Sequence, residues 1–194
     1  MNDQNTPTEG PKNLASIRDR GIAFLLDRLF VLPFSLGAIY VLIYLKSLPL
    51  VLACIVAEAA YKPVLEAVYG YTLGKKVMKI KVISQHTHGP ITWNQSFLRF
   101  TPWALAAYAA IFVMIRYFQT PGALELETIE QFLEFRVNHP LSNSFLIGMI
   151  NSLWIFSVMW IFSDSQKRAL HDRLGKTLVV KEVEASSQEP GARN

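Results

Sequence analysis

Apolar residues run almost unbroken through four stretches, Arg20–Leu45, Leu48–Tyr69, Phe97–Phe118 and Leu141–Phe162, and polar residues collect between them. Each stretch has about the twenty residues that cross a hydrocarbon core, so four transmembrane helices are predicted. Only Lys46 and Ser47 separate the first two, which makes them an antiparallel hairpin. The expected fold class is an all-α membrane protein, a four-helix transmembrane bundle.

The polar connections have patterns of their own. From Lys76 to Ile83, Val77, Met78, Ile80, Val82 and Ile83 interleave with Lys79 and Lys81; the turn-rich Gln85-His86-Thr87-His88-Gly89-Pro90 follows, then Ile91-Thr92-Trp93. That is the pattern of a short hairpin. Thr177–Val180 is expected to add a third strand, because an isolated hairpin is marginal in water. The result is a small cytoplasmic β element. Leu126, Ile129, Phe132 and Leu133 recur at helical spacing and predict a short helix ended by His139-Pro140. Periodicity leaves open whether it lies on the outer membrane surface or packs on the bundle. Residues 1–13 and 183–194 read as disordered cytoplasmic tails, the first lacking the apolar block of a cleavable signal, and residues 14–182 as one membrane domain.

Composition supports this picture, with 51% hydrophobic residues in a chain of 194. The net charge of +4 would raise nucleic acid as a partner for a soluble protein, but here topology accounts for it and no nucleic acid is expected. Lys75, Lys76, Lys79 and Lys81 fill one connection, Lys167, Arg168, Arg173 and Lys176 follow the last span, and Glu125, Glu127, Glu130 and Glu134 occupy the connection on the other side. By the positive-inside rule both termini are cytoplasmic. The single cysteine, Cys54, reads as a small buried hydrophobe.

The informative departures are charges inside the spans: Asp27 and Arg28 in the first, Glu58, Lys62 and Glu66 in the second. Intramembrane ionisable groups are expensive and face a bundle interior or a wet cavity. Asp27 lies seven residues past Arg20, about 10 Å of rise, and Lys62 eight residues before Gly70, about 12 Å from the same boundary. The two are therefore expected to meet at equal depth. Glu58, Lys62 and Glu66, four residues apart, form one polar stripe. Carboxylates at graded depth beside a cation suit proton or cation exchange; mutually neutralised pairs suit structural glue, and the residues alone favour the second. Arg28 is near enough to the boundary to snorkel and takes no role. His86 and His88 fit a solvated turn better than a metal site, and His171 beside Asp172 lacks an accompanying nucleophile, so no metal, cofactor or enzymatic activity is expected.

Three stretches together resemble the RDD family of bacterial integral membrane proteins. Arg20-Gly21-Ile22-Ala23-Phe24-Leu25-Leu26-Asp27 is similar to the family's arginine at the mouth of the first span followed by an intramembrane aspartate. Gly70-Tyr71-Thr72-Leu73-Gly74-Lys75, with Arg99 later, is similar to its Gly-x-Thr-Leu-Gly-Lys loop and the arginine opening the next span. Leu170-His171-Asp172, continuing to Val180, is similar to its closing Leu-His-Asp segment. The resemblance implies Arg20, Asp27 and Asp172 as the named residues, with Gly74, Lys75 and Arg99 as motif positions; the stripe Glu58-Lys62-Glu66 looks particular to this chain. Transport is suggested for the family, and cation/proton exchange is associated with some members. The expectation is an inner-membrane, proton-coupled cation or solute transporter in which Asp27 and Glu58 carry the proton or cation and a homo-oligomer completes the pathway. The alternative is a non-transporting scaffold or assembly factor whose buried charges are structural. Arg20 is expected to pair with Asp172 or Asp27, and Lys75 and Lys76 to hold anionic lipid head groups.

Overall fold

A computed structural model describes residues 13–164 and 166–182; the tails expected at 1–13 and 183–194 lie outside them except for Asn13. Four helices are long and apolar enough to cross a membrane, Ile17–Leu45, Leu48–Tyr69, Trp93–Phe118 and Phe145–Ser163. The first comprises α1 (Ile17–Tyr40) and a π-helical last turn, Val41–Leu45; the second is α2 (Leu48–Tyr69). After them come α3 (Leu73–Val77), β1 (Ile80–Ser84), α4 (Trp93–Phe118), α5 (Ile129–Asn138) and α6 (Phe145–Met159) with a tight turn at Trp160–Ser163. α7 (Leu170–Leu174) and β2 (Thr177–Lys181) are the last elements among the described residues.

Local chemistry sets the ends. Ser16 accepts the Asp19 N–H while the Asp19 carboxylate takes the Ser16 N–H, and Thr92 with Gln95 and Thr128 with Gln131 repeat this reciprocal cap. The Thr92 cap starts α4 four residues before the expected Phe97. Pro102 inside α4 has no N–H for the Leu98 carbonyl, and the Thr101 hydroxyl donates to that carbonyl at 2.9 Å instead. Such local repair is what lets proline sit in a membrane helix.

α2 packs against α1 on one side and α4 on the other, and α4 also packs against α6 and α7. α1 and α6 approach each other through Phe24 stacked on Trp154, ring centroids 5.4 Å apart. Leu25, Leu29, Tyr108, Phe145, Phe156 and Phe162 face outward, the surface a lipid environment requires.

The β element differs from its expectation. β1 pairs antiparallel with β2, Val82 opposite Val179, and the sheet has two strands. Ile91-Thr92-Trp93 is no strand, because Thr92 caps α4. The chain's start supports the sheet instead: Ala15 N–H donates to the Val179 carbonyl and Lys181 N–H to that of Asn13. The helix of the opposite connection, α5, packs on the bundle by one face. Phe132 and Leu126 are buried in a cluster with Val41, Leu42, Ile43, Val51 and Tyr117, while Ile129, Leu133 and Val137 remain exposed.

Candidate functional site

The sheet end of the bundle holds a buried ionic network centred on Arg99. α4 starts at Trp93, six residues earlier, which places Arg99 about 9 Å along the helix. Its side chain is 1% exposed. Arg99 Nε donates to Glu66 of α2 at 3.0 Å, and Nη1 donates to Asp172 of α7 at 2.5 Å and also to the Thr177 hydroxyl of β2. Glu66 receives a second cation, Lys75 of α3, and Asp172 a second, Arg20 of α1, at 2.7 Å. Two carboxylates, from α2 and α7, are thus shared by three cations, from α1, α3 and α4. Breaking one arm of such a network strands a buried charge, which is why its members act as a unit.

Asp172 is fully buried and also takes the Ala169 N–H at 3.0 Å. Burial alone would raise its carboxyl, but Arg99, His171 and Arg20 outweigh that and hold it well below the usual carboxylate range. His171 moves down for the first of these causes, burial, with Lys62 and Arg99 adding to the shift and Asp172 and Glu66 opposing it. Its ring shares a hydrogen bond of 2.8 Å with Ser157, whose oxygen also accepts the His171 N–H, and lies edge-on to Trp103. Ser157 has no exposed surface, so in this structure the serine, histidine and aspartate brace α6 against α7.

Asp27 has different company. Its carboxylate accepts from the Tyr61 hydroxyl at 2.8 Å, the Thr72 hydroxyl at 2.6 Å and the Gly74 N–H at 2.7 Å. Three donors from α2 and the α3 segment clamp that loop onto α1. Gly74 is required by this approach: a Cβ there would fall on the Ala23 carbonyl and the Asp27 carboxylate. Gly70, by contrast, ends α2 in the left-handed region at φ +77°.

The chain belongs to the RDD family. The match spans residues 14–176, and no curated protein or solved structure matches the chain. In this RDD protein the three signature stretches, far apart in sequence, meet at one end of the bundle: Arg20 on Asp172, Gly74 on Asp27, and Arg99 at the centre.

The remaining charges line a cavity of about 430 Å³ bounded by α1, α2, α4 and α6. Arg20, Asp27, Arg28, Glu58, Lys62 and Lys75 contribute to its wall. The expected meeting of Asp27 with Lys62 does not occur. Equal depth fixes height but not direction, and Lys62 Nζ sits 3.2 Å from the centroid of the Trp103 ring. Nor does the stripe act as one: Glu66 belongs to the Arg99 network, Lys62 to Trp103, and Glu58 to α1. Glu58 accepts from Ser35 at 2.7 Å and lies 3.6 Å from Arg28, so the arginine assigned no role has a partner. Lys75 is turned inward to Glu66, leaving exposed Lys76 facing outward, 5.7 Å from the Tyr71 ring. Arg99 was visible in sequence only as a motif position. Thr72 was visible only within the Gly-x-Thr-Leu-Gly-Lys stretch and Thr177 only as an expected strand residue, while Ser157 and Tyr61 had no signal there beyond being polar.

Proposed function

We propose that this RDD protein is a small membrane transporter whose solute occupies the cavity between α1, α2, α4 and α6. The observation that carries the reading is the cavity itself: about 430 Å³ of interior space at membrane depth, walled by ionisable groups and within the range of roughly 300–1,000 Å³ typical of ligand sites. The residues of one chain line it and leave it partly open to the outside, so a homo-oligomer is not needed to form the room. Among the intramembrane carboxylates, Glu58 is the one suited to exchange a proton. Its side chain keeps 30% exposure and its cation is 3.6 Å away, whereas Glu66 is held by Lys75 and Arg99 and Asp27 by three donors. The lysine-rich connections support an orientation with the sheet end and both termini on the cytoplasmic side, and the membrane proposed is a bacterial inner membrane. Lys76 is there available to anionic head groups.

The scaffold reading has its own support in the Arg99 network, whose central arginine is 1% exposed and joins α2, α4, α7 and β2. Flux in proteoliposomes separates the two. Under an imposed pH gradient, Na+, K+, Li+ and small organic anions are scanned for the wild type, Glu58→Gln and Asp27→Asn. Transport predicts flux that Glu58→Gln abolishes at unchanged thermal stability, with Asp27→Asn lowering the folded yield. Flux for none of these solutes favours the scaffold.

A further inference from the structure

The cavity wall has an imbalance that the transport reading does not explain. Every carboxylate in or behind it is supplied with donors: Asp27 with three, Glu58 with Ser35 and Arg28, Glu66 with Lys75 and Arg99, Asp172 with Arg20 and Arg99. The cations are not so matched. Lys62 forms no salt bridge or hydrogen bond among the described residues and rests on Trp103 alone. Arg20 uses Nη1 on Asp172, while its Nε and Nη2 are buried with no hydrogen-bond partner. Buried charged donors without acceptors are costly. What the site calls for is an oxyanion; among the cavity's carboxylate oxygens only Glu58 Oε1 accepts no hydrogen bond from the described residues, and Arg28 already stands 3.6 Å from it.

Polarity is also graded along the cavity. Arg20, Lys62, Lys75, Arg99 and His171 line its sheet end, and Val31, Ile55, Ala106, Ala107 and Ala110 its deep end, where the charges on the wall are Glu58 and Arg28, 3.6 Å apart. From Arg20 to Val31 α1 rises about 16 Å, and Arg99 to Ala110 on α4 covers the same height. The three alanines leave the room, and Phe24, Trp103 and Trp154 wall the middle. A cation-rich mouth over a largely apolar shaft, whose charges Glu58 and Arg28 answer each other, has the form of an amphiphile.

We propose that the cavity binds an anionic amphiphile, its carboxylate or phosphate head between Arg20 and Lys62 and its apolar chain running toward Val31 and Ala110. This names the solute class for the cavity on which the transport reading rests. A free single-chain acid and an anionic phospholipid of the bilayer share this chemistry, and the test distinguishes them.

The full chain is reconstituted in phosphatidylcholine nanodiscs and titrated with ω-bromoundecanoate, whose bromine quenches tryptophan; Trp103 and Trp154 line the cavity. The expected result is saturable quenching displaced by laurate and not by dodecyltrimethylammonium. Lys62→Gln leaves no carboxylate stranded, Arg20→Lys keeps a cation on Asp172 while removing the two unpartnered nitrogens, and Ala107→Phe fills the shaft. Each is expected to weaken binding roughly tenfold or more. In a second arm, tail-brominated phosphatidylglycerol replaces the acid, and saturable quenching confined to this arm assigns the site to a membrane lipid. Quenching that the cationic analogue displaces equally well, or that Lys62→Gln and Ala107→Phe leave unchanged, overturns the proposal. Binding without flux of any solute would remove transport and keep the anion site. Cation flux without anion binding would do the reverse.

Discussion

The two ends of the bundle differ in what they bury. At the sheet end Glu66, Thr72, Arg99, Ser157, His171, Asp172 and Thr177 are buried beside a small apolar cluster of Ala15, Ala23, Ile80, Val82, Ile91 and Val179; at the other end the buried side chains are mainly Val41, Leu42, Ile43, Val51, Tyr117, Leu126 and Phe132. Lipid explains the contrast. Within hydrocarbon, burying an apolar side chain gains little, because lipid tails are as apolar as the protein, and polar contacts supply much of the specificity between helices. The sheet end uses charge in this way to fasten the short pieces α3, α7 and β2 to the spans. At the opposite end the connection around Leu126 and α5 leaves the spans, where water restores a hydrophobic drive, and a small apolar core forms over the helix ends. One end is therefore held by a few indispensable partners, the other by many interchangeable contacts.

The largest effect follows from breaking the hub. Arg99→Met leaves Glu66 and Asp172 each with one cation, Lys75 and Arg20 respectively, and strips Thr177 of its donor. Removing one member of a buried ionic network costs about 3–5 kcal/mol, and the upper part of that range is expected because two carboxylates are affected. Thermal unfolding in detergent, followed by helicity, should show a large fall in midpoint or loss of folded protein. A midpoint near the wild type would mean that the network is dispensable.

The matching change at the other end is Phe132→Ala. Phe132 is 4% exposed in the apolar cluster, and truncating a buried phenylalanine costs about 3 kcal/mol or more; the lower figure is expected because α5 is short and its other face is open. The sharper measurement pairs Phe132→Ala with a mild sheet-end change such as Thr177→Val. Sites without shared partners add to within about 0.5 kcal/mol, so a larger coupling would show that the two ends are one cooperative unit and blur the comparison.

Legibility in the sequence divides along the same line. The spans, their hairpin and the acidic connection's helix follow from apolar periodicity, which records burial against lipid or core. The Arg20 and Asp172 pairing was expected because both lie near one boundary, and depth along a helix is fixed by 1.5 Å per residue. Direction around the helix is not fixed by any single span, which is why Lys62 faces Trp103 rather than Asp27. Arg99 looks like an ordinary residue at the start of a span; its importance arises only when α2, α7 and β2 converge on it. The sheet shows the same limit. Ile91 follows β1 closely and invites a hairpin, yet Thr92 is committed to capping α4, so the edge of β1 is filled by β2 from almost a hundred residues away.

The smallest effect is one of pH, and it tests the polar end alone. Unfolded, His171 titrates near 6.5; folded, burial beside Lys62 and Arg99 keeps its ring neutral well below that value, against the opposing pull of Asp172 and Glu66. In the window between the two values the unfolded chain binds a proton that the folded one refuses, so stability falls as pH drops below about 6.5. Each pH unit inside the window is worth about 1.4 kcal/mol, so a descent from neutrality to pH 5 removes at most about 2 kcal/mol. Asp172 acts in the same direction but in a separate window. Its carboxyl is held low in the fold, so its contribution persists until the pH falls below the unfolded value of about 3.9. Thermal midpoints at pH 7, 6 and 5, for the wild type beside His171→Gln, isolate the histidine. The wild type should lose stability across this range and the variant should lose less of it. An equal fall in both would place the acid sensitivity elsewhere and leave His171 as a brace whose protonation state does not matter to the fold.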